Sequence, residues 1–301
     1  MKNNVIQTIC LGFVCAGLTG GVQAALIASE SFKTTADVND YTSGTAVANV
    51  VNRSIVTGNS GFGAFTWLNE TGVIKPTSAS SLTHNGLTGT AQSGAMQISL
   101  SGVLSRNSNR SLSSSPVLSG SYFLSGLVNL SALTDLRDGD YVAAGFMESI
   151  ANSTADISSG IHLGVSRAGG IAYLSAFAGG STYNLLALDG SSYGKTFQIV
   201  LQLDAADGSA DTLNAWYAAD GDTQLTHALT DASIETWTSA DSLKRLVLQS
   251  KSGTTTLNGA YVDELRLGTA LSDVTTIPEP TSVSLLVVST VGLFLARRMI
   301  G

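Results

Sequence analysis

Phe197, Ile199, Leu201 and Leu203 alternate with Gln198, Val200, Gln202 and Asp204. A period of two sends successive side chains to opposite faces of a strand, whereas a helix repeats its apolar stripe every three to four positions. The segment therefore reads as a β-strand. Comparable segments recur down the chain: Leu124–Leu130, with Leu124, Gly126, Val128 and Leu130 on one face, then Tyr141–Met147, Ile161–Val165, Ile171–Phe177, Leu213–Tyr217, Leu243–Leu248 and Tyr261–Leu267. Gly-, Asp- and Asn-rich stretches separate them, and Ser166-Arg167-Ala168-Gly169-Gly170 reads as a hairpin loop. With no convincing amphipathic helix of about 12 residues in competition, this spacing predicts an all-β sandwich. A short helical turn is expected at Asp231–Trp237. Before Pro116 the strand candidates are Ser31-Phe32, Phe62–Leu68, Val73-Ile74 and Met96–Leu104, and Ser- and Asn-rich Ser105–Ser119 is expected to be an exposed loop. No clean boundary divides the body, so residues 25–274 are assigned to one domain.

The two ends are of another kind. Lys2 is the only charge before Glu30, an apolar run extends from Val5 to Leu18, and small residues lead to Val22-Gln23-Ala24. This pattern reads as a secretory signal, residues 1–24, cut by signal peptidase after Ala24. Cys10 and Cys15 are the only two cysteines and leave with it, so the mature body has neither a disulfide nor a thiolate site. The C-terminus reads Ile277-Pro278-Glu279-Pro280, then uncharged Thr281–Ala296, then Arg297-Arg298-Met299-Ile300-Gly301. Residues 281–296 are expected to form a transmembrane helix of about 24 Å, short against an apolar bilayer core of about 30 Å. Arg297 and Arg298 on the cytoplasmic side orient the body outward. Two prolines fix the backbone ahead of the helix, and Glu279 keeps that stretch out of lipid.

Pro278-Glu279-Pro280, an apolar helix and a terminal arginine pair, in that order at residues 275–301, resemble the PEP-CTERM sorting signal. The resemblance implies processing by an exosortase, a transient inner-membrane anchor, and delivery to the cell surface or extracellular matrix of a Gram-negative bacterium that makes exopolysaccharide.

Composition narrows the partners. Without residues 1–24 and 281–301, which hold Lys2, Arg297 and Arg298, 12 basic residues stand against 22 acidic ones, a body charge of about −10. Nucleic-acid binding requires a basic stripe and is not expected. Charged residues are only 12% of the chain, with Ser, Thr, Gly and Ala in their place, as in extracellular β proteins.

Three stretches resemble a LamG or concanavalin A-like jelly roll: Ala28-Ser29-Glu30-Ser31-Phe32, Phe197–Asp204 followed by Leu213–Tyr217, and Tyr261-Val262-Asp263-Glu264-Leu265-Arg266-Leu267-Gly268 closing with Ser272-Asp273-Val274. The resemblance implies that the first and last strands pair. Ser105–Pro116 matches no strand of the pattern.

Catalytic motifs are absent. His84, His162 and His227 are far apart, without metal-ligand spacing, and His162 is expected to be a half-buried strand residue. Asp263 and Glu264 are adjacent and on a regular strand point to opposite faces, so they do not form the same-face carboxylate pair of a glycosidase. Asp138 and Asp140 read as turn residues around Gly139. Asp204, Asp207 and Asp211 form an acidic turn with two readings, a Ca²⁺ site or a solvated hairpin; no other cofactor is expected. Trp67 and Trp237 are candidates for stacking on sugar rings, and Trp216, within an apolar strand, is expected in the core. The expected function is a non-catalytic, exosortase-sorted envelope or matrix protein, with exopolysaccharide a candidate ligand. The rivals are a polysaccharide-acting hydrolase or lyase of the same fold, and a purely structural or adhesive surface protein.

Overall fold

The computed structural model describes residues 25–30, 32, 62, 74–77, 82, 84, 95–101, 104–116, 119–130, 136–148, 157–205, 210–234, 242–252 and 256–275. Both end segments, with Ala24, Pro278, Glu279, Pro280, Arg297 and Arg298, lie outside them. Among the described residues the chain is nearly all β: β1 (Leu26–Glu30), β2 (Ile74–Thr77), β3 (Ala95–Ser101), β4 (Leu104–Ser111), β5 (Gly120–Leu130), β6 (Tyr141–Met147), β7 (Ile161–Ala168), β8 (Ile171–Ala178), β9 (Ser181–Leu188), β10 (Thr196–Ala205), β11 (Thr212–Ala219), β12 (Thr226–Ser233), β13 (Arg245–Ser252), β14 (Thr256–Gly268) and the single-turn helix α1 (Leu271–Val274).

The strands form two antiparallel sheets. The first has the order β12-β11-β10-β5-β14-β3-β2, with β1 also paired to β14; the second has the order β4-β13-β6-β7-β8-β9. The alternation read in β10 is realised residue by residue: Phe197, Ile199, Leu201 and Leu203 join the core between the sheets with Leu124 and Val128 of β5, Leu163 and Val165 of β7, and Leu246 and Leu248 of β13. Burying each such side chain contributes about 1.5–3 kcal/mol. The pairing of first and last strands is also present, with Ser29 opposite Arg266 and Glu30 opposite Leu265. Between β7 and β8 the strands run on to Ala168 and Ile171, and the turn is only Gly169 (φ 58°) and Gly170 (φ 81°). Two positive φ values in succession suit the twist of a two-residue hairpin and favour glycine there.

Two expectations are corrected. Residues 105–111, expected in an exposed loop, belong with Leu104 to β4, the edge strand of the second sheet, in continuous register with β13 from Leu104–Ser252 to Ser111–Arg245. A polar edge strand pairs through its backbone, and side-chain alternation does not report that pairing. Its inward side chain Arg110 is 1% exposed and its Nη1 lies 3.1 Å from Oε2 of Glu30, which is 0% exposed. The Phe62 ring packs against the guanidinium at 4.6 Å, and Oε1 of Glu30 accepts the Phe32 N–H at 3.1 Å. In the second correction, Asp231–Ser233 belong to β12 and are not helical; 235–241 lie outside the described residues. Asp231 has φ 43° at an irregularity in the β11–β12 register, so the edge strand is bulged there, which hinders further pairing.

A second bulge interrupts β14. Asp263 pairs with Leu127 and Arg266 with Ser125, so Glu264 and Leu265 together oppose Gly126. Glu264 has φ 48°. The extra residue shifts the alternation, and both Val262 before it and Leu265 after it reach the core. Gly126 makes this fit: a Cβ there would meet Leu265 Cδ2 at 2.7 Å.

Candidate functional site

Along the outer face of the second sheet, the start of β6, the end of β7 and the start of β9 enclose a cavity of about 250 Å³ lined by Asp140, Tyr141, Ser166, Arg167, Thr182 and Asn184. Its floor is fixed by local chemistry. Asp140 closes its own turn: its Oδ2 accepts the Arg137 N–H at 2.8 Å while its N–H donates to the Arg137 carbonyl at 2.9 Å. The turn is then stitched to β7, Gly139 N–H donating to Arg167 O and Arg167 N–H to Asp140 O. Asp138 Oδ1 accepts the Gly170 N–H at 2.9 Å and lies 3.7 Å from Arg167 Nε. The expected role of Asp138 and Asp140 as turn residues is thus what the structure shows, and Asp140 in addition lines the cavity.

Ser166 Oγ is 2.7 Å from Ser175 Oγ and donates to Asn184 Oδ1 at 3.4 Å. Tyr141 packs its ring on Phe177, centroids 5.5 Å apart. Asp140, Tyr141 and Ser166 are buried and Thr182 and Asn184 are exposed, so the cavity has a fixed floor and a rim open to solvent. Arg167 donates to the Leu136 carbonyl. Hydroxyl, amide, carboxylate and one aromatic ring around a concave surface make a set suited to recognising hydroxyl groups. Thr182 and Asn184 were missed by sequence reasoning, since nothing in β9 marks them apart from other polar strand residues.

The sequence candidates are placed as follows. Asp207, Trp67 and Trp237 lie outside the described residues. Asp204 accepts from Ser121 Oγ at 2.5 Å and from Gln202 Nε2 at 2.9 and 2.8 Å, so both carboxylate oxygens are engaged by protein donors. Asp211 is fully buried. Among the described residues no group of three or more His, Cys, Asp or Glu is gathered as a metal site. Trp216 is corrected: it is half-buried on the outer face of β11, its ring stacked on His227 with centroids 4.9 Å apart and planes 14° apart. In the cross-strand row Val200–Trp216–His227, the indole has one face against its neighbour His227.

His162 is fully buried rather than half-buried. Its Nδ1 is 3.3 Å from Gln249 Nε2 and its Nε2 is 3.2 Å from the Ser159 carbonyl. Both ring nitrogens have partners, as expected of a structural histidine. Gly145 opposite makes room for it, since a Cβ at 145 would lie 2.9 Å from His162 Nδ1.

The acidic pair of β14 sits at the bulge, where strict alternation is interrupted. Asp263 is 2% exposed and Glu264 8%. Burial, and then the neighbouring Glu264 charge, push the Asp263 carboxyl well above the usual carboxylate range, against the N–H groups of Glu264 and Leu82 that it accepts. Burial also raises Glu264, opposed by Arg266, whose Nη2 is 3.1 Å from Glu264 Oε2. Raised acids suit general-acid chemistry, but Leu82 sits directly over Asp263.

No family model matches the chain, and no curated protein matches it. Among solved structures it is similar to an alginate lyase variant in complex with alginate tetrasaccharide, at 15% identity and TM-score 0.40, over 81% of this chain and 97% of that one. It is also similar to the globular domain of T. cruzi calreticulin, at 10% identity and TM-score 0.40, over 60% of this chain and 76% of that one. A third likeness is to a GH43 glycoside hydrolase, at 12% identity and TM-score 0.38, over 58% of this chain and 34% of that one. The match thus spans about a third of that hydrolase's length. The fold assignment rests on the strand pairing above, not on these overlaps.

Proposed function

We propose that this is an exported, exosortase-sorted protein of a Gram-negative cell envelope or extracellular matrix, whose LamG/concanavalin A-like jelly-roll body binds carbohydrate without transforming it. The observation that carries the binding half is the cavity between β6, β7 and β9: a buried floor of Asp140, Tyr141 and Ser166 under an exposed rim of Thr182 and Asn184. Neutral hydroxyl and amide groups dominate it, which favours sugar hydroxyls over a strongly charged ligand. Signal peptidase and exosortase as processing partners rest on the two terminal segments of the sequence, and exopolysaccharide as ligand follows from both halves together.

A glycan array probed with the purified body, with and without Ca²⁺, tests the binding half. Signal on no sugar would leave only a structural or adhesive role. Intact mass of protein recovered from envelope or medium tests the sorting half, with loss of residues 1–24 and of a C-terminal stretch expected. The enzyme reading is favoured by one observation, the adjacent buried carboxyls Asp263 and Glu264 beside Arg266; release of reducing ends or unsaturated sugars from a polysaccharide would establish it.

A further inference from the structure

After β14 the chain crosses the outer face of the first sheet, strand by strand. Over β14, Gly268 lets α1 sit close: a Cβ there would meet Asp273 Cβ at 2.6 Å. Over β5, Ser125 Oγ donates to the Val274 carbonyl at 2.5 Å. Over β10, Thr275 Oγ1 donates to Gln198 Oε1 at 3.5 Å. Val274 is fully buried, and Asp273 Oδ2 accepts the Thr269 and Ala270 N–H groups at 3.2 and 2.9 Å. Residues 270–275 are thus well fixed, and they deliver the chain to β10 heading for β11.

Two outward side chains of β11 lie next to that point. Ala218, paired with Gln198, is buried, and His84 Nε2 meets the adjoining Ala219 carbonyl at 2.9 Å. Trp216 lies one diagonal step from Gln198, about 7–8 Å away. It is only half-buried, and its ring stacks on that of exposed His227 in β12. Paired rings on a sheet surface suit an extended proline-rich segment, which loses little conformational freedom on docking. Thr276-Ile277-Pro278-Glu279-Pro280 follow Thr275 directly. At about 3.3 Å per residue Pro278 reaches about 10 Å from Thr275 and Pro280 about 17 Å, enough for Trp216 and then His227. An independent observation lies at the exit itself. Gln198 is 0% exposed, yet its Nε2 has no hydrogen-bond partner among the described residues; the backbone carbonyls just past Thr275 supply acceptors there.

We propose that residues 276–280 dock on the outer face of the first sheet, with a proline ring against Trp216 and His227. The docked segment shelters Pro278–Pro280 from proteases. The consequence for sorting rests on the exosortase reading above: processing waits until the segment leaves the sheet. The docking itself does not depend on that reading.

The test uses the full chain in detergent and a proline-specific endoprotease. The chain has four prolines, and Pro76 and Pro116 in the body serve as internal controls. Cutting after Pro278 should be about tenfold faster in Trp216→Ala, because the rate follows the open fraction. Trp216→Phe, which keeps a ring, should stay close to the wild type. Equal rates after Pro278 in Trp216→Ala and wild type, including no cutting in either, would overturn the docking. Faster cutting after Pro76 or Pro116 as well would mean a loosened fold. A second measurement then decides: in the protein labelled with 5-fluorotryptophan, the fluorine signal of Trp216, assigned by its loss in Trp216→Phe, should move when Pro278 and Pro280 are both replaced by Ala. An unmoved signal would overturn the proposal. Failure here, with tail loss still seen in the intact mass, leaves the sorting reading standing; faster cutting in Trp216→Ala without tail loss in the cell leaves the docking standing alone.

Discussion

Glu30 and Arg110 meet at 3.1 Å with 0% and 1% of their side chains exposed, joining the N-terminal strand of one sheet to the edge strand of the other. Removing one partner leaves the other charged and buried, at a cost of about 3–5 kcal/mol. Glu30→Gln or Arg110→Met should therefore lower unfolding free energy by that amount in denaturant titration. The double replacement Glu30→Leu with Arg110→Met should recover most of it, because both desolvation penalties vanish together. A double variant no more stable than either single one would rule out the ion pair as the source of the loss.

The stability contributed by Asp263 and Glu264 should fall as pH rises through the acidic range. Asp263 and Glu264 have raised folded pKa values, so above the ordinary carboxylate pKa of about 4 the native state holds more protons than the unfolded chain. Their contribution is complete below that value and is lost as pH climbs through the raised ones. Asp263→Asn keeps an acceptor for the Glu264 N–H, loses the one that meets the Leu82 N–H, and does not titrate. Its melting temperature should depend less on pH than the wild type's across that window; parallel curves would contradict the assignment.

A Cβ at Gly145 would lie 2.1 Å from the Ile161 carbonyl and 2.6 Å from His162 Cα, both backbone atoms that cannot yield cheaply. Gly145→Ala should cost about 3 kcal/mol or more. Gly190→Ala meets nothing within 4 Å, and should unfold within about 0.5 kcal/mol of wild type. Chemical denaturation of the two proteins side by side checks the contrast.

Asn184 is exposed, and beyond Ser166 at 3.4 Å it adds little to the fold. Asn184→Ala should weaken binding of any array-positive glycan about three- to tenfold through loss of one hydrogen bond. Melting temperature should stay unchanged. Titration calorimetry of wild type and variant decides; equal affinities would move the site elsewhere.

The sequence disclosed most of what local alternation can encode. Phe197–Asp204 and Leu124–Leu130 carry their buried face in plain view, and Gly169-Gly170 marks a hairpin. What it concealed is non-local. Ser105–Ser111 looks like a polar loop because its buried Arg110 is neutralised by Glu30, 80 positions away. Trp216 was misplaced because the outer face of the first sheet is itself largely covered: Val200 and Ala218 there are as buried as the core, so an apolar run no longer reports which side faces the other sheet. The bulge at Glu264 has no signature of its own beyond Gly126, a hundred and more positions earlier. The cavity joins a turn before β6 to residues of β9, and no spacing in the chain links Asp140 with Asn184.

The strand from which the C-terminus departs is not an edge. β14 has β5 along one flank and β3 followed by β1 along the other, and its end is tied to the start of the body by Ala25 N–H donating to Thr269 Oγ1 at 3.0 Å. A pull on the tail loads these ladders lengthwise, so many hydrogen bonds must shear at once instead of unzipping one by one. A mooring line fastened there would tear late, and tugging at one terminus would be felt immediately at the other.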